Sequence, residues 1–232
     1  MGVLVKCSGL NKSYGRKQVL KNISIQVESG RIIGLLGPNG SGKTTLIKVL
    51  SGLLKKDSGE VAIAGLPIGI ETKKIVSYLP ERTYFSPAMK VKETLDFFGD
   101  FYEDFNRQKA EEMLARLEIS VESKIKELSK GTREKVQLVL VMSREAQLYL
   151  LDEPMGGVDP AARDYILKTI LSNYNPEASI IISTHLISDV EKILDEVIFV
   201  KQGEIVLQQT VDQIRDQHQK SVDGLFREVF AC

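Results

Sequence analysis

The sequence predicts an α/β fold built on a doubly wound sheet, and three observations predict it. Arg31-Ile32-Ile33-Gly34-Leu35-Leu36 is a short apolar run that reads as a buried strand, and it passes without a gap into a glycine loop and a helix. Leu148–Leu151 and Ser179–Thr184 are two more such runs, separated by the helical pattern 160–173, and each ends in polar, chemistry-bearing residues. Ahead of Leu148, from about residue 82 to about residue 146, the patterning is helical, as in an insertion.

The loop in the first of these units is Gly37-Pro38-Asn39-Gly40-Ser41-Gly42-Lys43-Thr44-Thr45, which fits G-x-x-x-x-G-K-[ST]. Its glycines permit positive φ and a close backbone approach to a ligand. Successive N–H groups then form an anion nest, and the helix that follows adds the positive end of its dipole. Lys43 supplies a mobile charge for the β- and γ-phosphates of a nucleotide, and Thr44 offers a hydroxyl to Mg²⁺. A match of this kind arises by chance on the order of once per hundred chains of this length. It indicates a nucleotide and leaves its use open.

Bulk properties narrow the rest. The chain has 232 residues, with Lys plus Arg and Asp plus Glu at 31 each, so it is formally neutral. Neutrality gives no electrostatic case for a nucleic-acid partner. The 2 cysteines, Cys7 and Cys232, lie near opposite ends and form neither a disulfide framework nor a metal spacing with His185 and His218. The first residues lack a signal-peptide apolar core, and no apolar run approaches the roughly 20 residues needed to span a bilayer. The reading is a soluble cytoplasmic chain whose membrane role, if it has one, needs a partner chain.

Residues 3–8 and 18–27 read as strands, the second from the alternation of Val19, Ile23, Ile25 and Val27 with polar neighbours. Asn11–Lys17 reads as a polar loop between them. Its Tyr14 suits either stacking on a base or an ordinary loop position. Ser29-Gly30 is a turn signal that predicts a hairpin into the 31–36 strand. Glu60–Gly65 and Lys74–Pro80 read as further strands. Residues 88–118 are helical in pattern, with Asn106 as the N-cap of 107–118. Seven of the chain's 8 Phe and 7 Tyr fall between Tyr84 and Phe105, and positions 97, 98, 101, 102 and 105 share one helical face. That face suits a small core or an apolar groove for a partner helix.

Ser129 or Thr132 caps a strong helical run that reaches Arg144. The apolar run that follows ends in Asp152-Glu153, at the C-terminal edge where open α/β sheets bind ligands. Adjacent strand residues point to opposite faces, so the two acids are expected to divide their work, one on Mg²⁺ and one on water. Asp159 before Pro160 is a helix start. His185 lies just past the next strand, on the same edge. Glu196–Lys201 and Glu204–Gln208 form a hairpin about Gln202-Gly203, Thr210–Gln213 is a capping box, and 222–230 is amphipathic.

Taken together these motifs resemble the ATP-binding subunit of an ATP-binding cassette (ABC) transporter, over essentially the whole chain. Tyr14 matches the adenine-stacking aromatic, Gly37–Thr45 the Walker A loop, and Pro80-Glu81 lies at the Q-loop. Leu128–Thr132 matches the signature, Leu148–Glu153 Walker B with the catalytic glutamate, Gly156–Asp159 the D-loop, and Thr184-His185 the switch histidine. The resemblance implies a P-loop NTPase of the ABC ATPase type, with an antiparallel β subdomain and a helical subdomain. It divides the chain into an ATP-binding core with β subdomain (1–81 and 147–208), a helical signature subdomain (82–146) and a helical tail (209–232).

The same resemblance implies ATP and Mg²⁺ as cofactors, with Thr44, Glu81 and Asp152 on the metal. Lys43, Glu153 and His185 are the implied catalytic residues. Tyr14, Gly37, Pro38, Asn39, Gly40, Ser41, Gly42, Lys43, Thr44, Thr45, Glu81, Ser129, Gly131 and Asp159 are the implied nucleotide contacts, with Ser129 and Gly131 reaching ATP held by the opposite subunit of a head-to-tail dimer. The implied partners are that second ATPase subunit, the same or different, and an integral membrane permease docked at the aromatic face, on the cytoplasmic side of the membrane. Two positions depart from the family pattern. Glu81 stands where Gln is usual and adds a negative charge. The signature reads Leu-Ser-Lys-Gly-Thr where Leu-Ser-Gly-Gly-Gln is usual. Such variants resemble those of drug, antibiotic or peptide exporters of the ABC-2 type. The rival readings are a soluble ATPase of the same type acting on nucleic acid or ribosomes, and a weakly hydrolysing ATP-binding module.

Overall fold

The structure, a computed structural model, describes residues 2–156 and 160–231. In chain order it begins with β1 (Val3–Tyr14), β2 (Lys17–Glu28), β3 (Ile32–Leu36), α1 (Lys43–Leu50), β4 (Ser58–Ile63) and β5 (Leu66–Pro67). Then come α2 (Ile70–Ile75), β6 (Val76–Leu79), α3 (Val91–Phe101), α4 (Arg107–Arg116) and α5 (Lys130–Met142). The last part holds β7 (Leu148–Asp152), α6 (Pro160–Asn173), β8 (Ser179–Thr184), α7 (Ile187–Val190), β9 (Glu196–Lys201), β10 (Glu204–Thr210), α8 (Val211–His218) and α9 (Val222–Phe230).

Among the described residues the strands form two sheets. One has four strands in the order β2-β1-β4-β5, all neighbours antiparallel. The other has six in the order β10-β9-β3-β8-β7-β6, parallel throughout except for the β10 edge. Sequence pattern explains the division. β2 alternates, with Leu20, Ile23, Ile25 and Val27 buried and polar neighbours exposed, as suits a sheet covered on one face. β3, β7 and β8 are buried at every residue and need cover on both faces.

The interior strands split their apolar residues between two cores by the period-2 rule. Ile32 and Leu36 of β3, Tyr149 and Leu151 of β7, and Ile180 and Ile182 of β8 join the core that includes the helices α3 to α5. Ile33, Leu35, Leu148, Leu150 and Ile181 join the other, with Leu46, Ile47, Val49 and Leu50 of α1 and the buried face of the small sheet. The large sheet is therefore a wall between two hydrophobic layers, and its C-terminal edge is where both layers end.

Two local expectations change. The turn at Ser29-Gly30 does not close a hairpin onto 31–36. β2 stays with β1, where Gln26 lies opposite Lys6, and β3 enters the large sheet between β8 and β9. β3 is buried at every residue, and it pairs on both edges with the buried strands β8 and β9. The polar stretch 11–17 is not a loop; strand pairing runs to Tyr14 opposite Lys17, leaving only Gly15 and Arg16 at the tip. The helical stretch 88–118 holds α3 and α4, and Asn106 opens α4 as expected, accepting from the N–H of Lys109 at 2.9 Å. That cap falls where the sequence indicates, as do Ser129, which accepts from the Thr132 N–H at 3.1 Å, and the reciprocal Thr210/Gln213 box.

Candidate functional site

The glycine loop leaves the C-terminal end of β3 and enters α1, so its backbone sits at the edge where β7 and β8 also end. Gly42 is the N-cap of α1 with φ of 114°, a left-handed conformation that L side chains rarely adopt. A Cβ there would lie 3.0 Å from Leu20 Cδ2 and 3.1 Å from the Val19 carbonyl. Only glycine lets the loop close against the small sheet at this point. Residues 39–45 of the loop then line a cleft of about 1020 Å³, together with Tyr14, Glu81, Glu153 and His185.

Within the loop, Lys43 is 6% exposed, and its Nζ donates to the Gly37 carbonyl at 2.7 Å and the Pro38 carbonyl at 3.4 Å. It also lies 3.7 Å from Glu153 Oε1. Burial lowers its pKa, and the charges of Glu153, Asp152 and Glu81 act against that, Glu153 most strongly. The Ser41 hydroxyl is buried without a hydrogen-bond partner in this nest.

The acids come from β7. Asp152 is buried, with Oδ1 accepting from Thr44 Oγ1 at 3.0 Å and from Ser183 Oγ at 2.6 Å, while Oδ2 has no hydrogen-bond partner. Glu153 does not continue the strand. Its φ of 49° is left-handed, and its N–H donates to the carbonyl and the hydroxyl of Ser183 at 3.0 and 3.1 Å. Strict alternation would have sent Glu153 to the face opposite Asp152. The left-handed turn instead keeps both carboxylates on the loop, Asp152 on Thr44 and Glu153 on Lys43. Glu153 Oε2 also lies 3.0 Å from His185 Nδ1, giving a chain from Lys43 through Glu153 to the half-exposed His185.

Burial raises the Asp152 pKa above the ordinary carboxylate value, and the bonds from Ser183 and Thr44 offset this only in part. The Glu81 charge pushes it the same way. The Tyr78 phenol is pushed up too, by burial and then by the charges of Asp152 and Glu81. An acid whose pKa is raised on folding adds most to stability below the ordinary carboxylate pKa, where it is neutral in both states. That contribution falls as pH rises through the raised folded-state value. Asp152→Asn is therefore expected to raise the melting temperature of the nucleotide-free chain near neutral pH, with the gain shrinking toward pH 4. Thermal melts in EDTA at two pH values check this, and an unchanged or lower melting temperature at neutral pH would refute it.

The remaining sequence-indicated residues are placed as follows. Tyr14, half exposed at the tip of the small sheet, lines the cleft beside Lys17 and Val19. Glu81 lines it from the segment after β6. Gly37 and Pro38 serve through their carbonyls on Lys43. Ser129 and Gly131 are not among the cleft-lining residues, whereas Lys130, Arg133 and Glu134 of the same helix are. Asp159 lies outside the described residues. Sequence reading missed Ser183, the residue that holds both acids. Its signal was present, as a polar side chain within an apolar strand, directly opposite Asp152 in the β7–β8 register.

Among the described residues, no three of His, Cys, Asp and Glu gather closely enough to hold a metal by themselves, and no helix is long and apolar enough to cross a membrane. A metal here would draw on a hydroxyl and on a nucleotide as well as on carboxylates.

The family model described as "ABC transporter" matches residues 20–156. The chain is 37% identical over 211 residues to the uncharacterized ABC transporter ATP-binding protein YdbJ of Bacillus subtilis (strain 168), covering 87% of this chain and 68% of that protein. It is 31% identical over 220 residues to the SkfA peptide export ATP-binding protein SkfE of the same organism, covering 92% of each. A solved structure described as the ATP binding subunit of an ABC transporter superposes with a TM-score of 0.86 at 29% identity, covering 97% of this chain and 99% of that one. Other relatives are longer, and the chain spans 55% of one from Synechocystis.

Proposed function

The chain belongs to the ABC transporter family, with the ABC ATPase fold, and from that premise we propose that it binds and hydrolyses ATP as one subunit of a head-to-tail dimer and drives transport through a separate membrane permease. The single observation that carries the reading is that the glycine loop, Glu153 and His185 line one cleft, with the buried Asp152 bonded to Thr44 of that loop. The family binds ATP, normally with Mg²⁺, and hydrolyses it.

The residues fit such a ligand. Asp152 presents a buried oxygen without a partner next to the Thr44 hydroxyl, which is a first pair of hard oxygen ligands. Thr44, Asp152 and Glu81 would hold Mg²⁺, which supplies charge neutralisation on the phosphates when bound. The loop N–H groups and Lys43 bind the phosphates, and to do so Lys43 gives up the Gly37 and Pro38 carbonyls that now hold it. Tyr14 stacks on the adenine. Glu153 orients and deprotonates the attacking water. His185 fixes the Glu153 carboxylate through Nδ1, which leaves Nε2 to face the γ-phosphate. Ser129 and Gly131, away from their own cleft, and Asp159 serve the ATP of the opposite subunit.

The aromatic face from Tyr84 to Phe105 receives the permease, which places the complex at the cytoplasmic side of the membrane. Likeness to a peptide-export ATP-binding protein across 92% of both chains supports drug, antibiotic or peptide export as the substrate class. The direct test is affinity purification of the tagged chain from detergent-solubilised membranes. The expected result is stoichiometric recovery of one integral membrane protein. Recovery with ribosomes or nucleic acid, or of the chain alone, would overturn the transporter reading.

A further inference from the structure

Tyr14 is 51% exposed where it lines the nucleotide cleft. Among the described residues its ring has no aromatic partner and its hydroxyl makes no hydrogen bond. The place of the ring is therefore set by the backbone of the hairpin tip, where β1 and β2 pair up to Tyr14 opposite Lys17.

The two arms of that tip are anchored differently. β2 rests on the glycine loop and on the turn at Gln202-Gly203. The Lys21 N–H donates to the Gly203 carbonyl at 2.8 Å, and the Gly203 N–H donates to the Ser41 carbonyl at 2.9 Å. A Cβ at Gly203, where φ is 85°, would run into the Val19 carbonyl, so strand and turn meet backbone to backbone. β1 lacks that support. Its second neighbour, β4, pairs with it only as far as Ser58 opposite Asn11. From Lys12 onward that edge of β1 has no strand beside it among the described residues.

The side chain of Asp57 takes the place of the missing strand. Its own N–H donates to the Asn11 carbonyl at 3.0 Å, at the end of the β1–β4 ladder. Two residues further along β1, on the same edge, the Ser13 N–H donates to Asp57 Oδ2 at 2.6 Å, and Lys12 Nζ donates to Oδ1 at 2.7 Å. One carboxylate thus holds β1 at the residue before Tyr14. The Lys12 bond, and then the Ser13 bond, keep the Asp57 carboxyl below the ordinary carboxylate range, so both donors meet an ionised acceptor. Asp57 is not among the cleft-lining residues, and it reaches a nucleotide only through the tip.

Resting on the reading of Tyr14 as the adenine contact, we infer that Asp57 is a positioning residue for the base, fixing the β1 arm so that the Tyr14 ring stands in place before a nucleotide arrives. A tip that sways must be caught at the moment of binding, and the apparent affinity falls by the fraction of time the ring is out of place. The effect belongs to the base half of the ligand, because the phosphates are held by the glycine loop, to which Asp57 makes no bond among the described residues.

Calorimetric titration of the full chain with Mg²⁺ and either ADP or inorganic pyrophosphate separates the two halves without turnover. Asp57→Ala is expected to weaken ADP about three- to tenfold, the worth of one hydrogen bond, and to leave pyrophosphate unchanged. Asp57→Asn keeps an acceptor for the Ser13 N–H and is expected to lose less. Tyr14→Ala weakens ADP as well, and adding Asp57→Ala to it costs nothing further, because the ring that Asp57 serves is gone. The chain has no Trp, so Tyr14→Trp puts a single indole at the tip. Its fluorescence anisotropy without nucleotide is expected to fall when Asp57→Ala is added. Equal losses for ADP and pyrophosphate, additive losses in the double variant, or an unchanged anisotropy would each overturn the inference. If Tyr14→Ala weakens ADP and Asp57→Ala does not, the adenine reading stands and the role of Asp57 falls. If Tyr14→Ala leaves ADP affinity unchanged, the adenine reading falls and takes the inference with it.

Discussion

Glu153→Gln is expected to bind ATP, to turn it over on the order of 10²–10³ more slowly, and to accumulate as an ATP-bound dimer. The substitution is nearly isosteric. An amide oxygen still accepts from His185 Nδ1, so the ring keeps its place. What is lost is a base within reach of the cleft. The charge change acts in the other direction on binding. Glu81, Asp152 and Glu153 all act on Lys43, the one lysine of the glycine loop, and all three oppose an incoming triphosphate. Removing one negative charge lowers that repulsion while blocking the step that would let the dimer open. Phosphoryl transfer relies on positioning and charge compensation, so loss of the water-orienting carboxylate falls mainly on kcat. Steady-state phosphate release and size-exclusion chromatography with ATP check both halves. A variant that stays monomeric with ATP and keeps full turnover would remove Glu153 from the mechanism.

Much of this site is legible in the sequence because its parts are local. The glycine loop, its strand and its helix are contiguous, and the acids and His185 follow apolar runs whose ends must share one edge of a parallel sheet. Other features depend on what one strand meets, and sequence distance hides that. Ser183 earns its role only by lying opposite Asp152 across two strands. The left-handed turn at Glu153 follows from its N–H finding the Ser183 carbonyl and hydroxyl together. β2 and β3 look like a hairpin from their turn signal, yet they differ in how many faces they bury, and burial outweighs the turn. The aromatics of α3 share a helical face by period alone, and which of them meets the core depends on where α5 packs.

Arg144→Leu is expected to cost about 3–5 kcal/mol of stability, the size found when one partner of a buried ion pair is removed, since Arg144 itself is buried and its partner Asp104 is 23% exposed. At sequence level Arg144 is only the end of a helical run. In the structure it is 2% exposed and nearly all its donors are used. Nε and Nη2 hold the Asp104 carboxylate at 2.9 and 3.0 Å, a two-point pairing that lysine could not reproduce. Nη1 donates to the Val76 carbonyl at 2.6 Å and Nη2 to the Lys74 carbonyl at 2.7 Å, where α2 passes into the edge strand β6. The guanidinium also lies 3.8 Å from the ring centre of Tyr102. One side chain thus ties the helical region to the edge of the large sheet.

Leucine fills similar space and takes the Arg144 donors from Asp104 and from the carbonyls of Lys73, Lys74 and Val76. At roughly 2–4 °C per kcal/mol for a chain of this size, the melting temperature should fall by about 6–20 °C. Adding Asp104→Leu removes the stranded charge and should recover part of that loss, because most of the single-variant cost is the unpaired carboxylate and not the pair's net worth. Thermal and urea unfolding of the single and double variants measure the coupling. A single-variant cost below about 1 kcal/mol, or a double variant no better than the single one, would show that the latch is ordinary surface pairing.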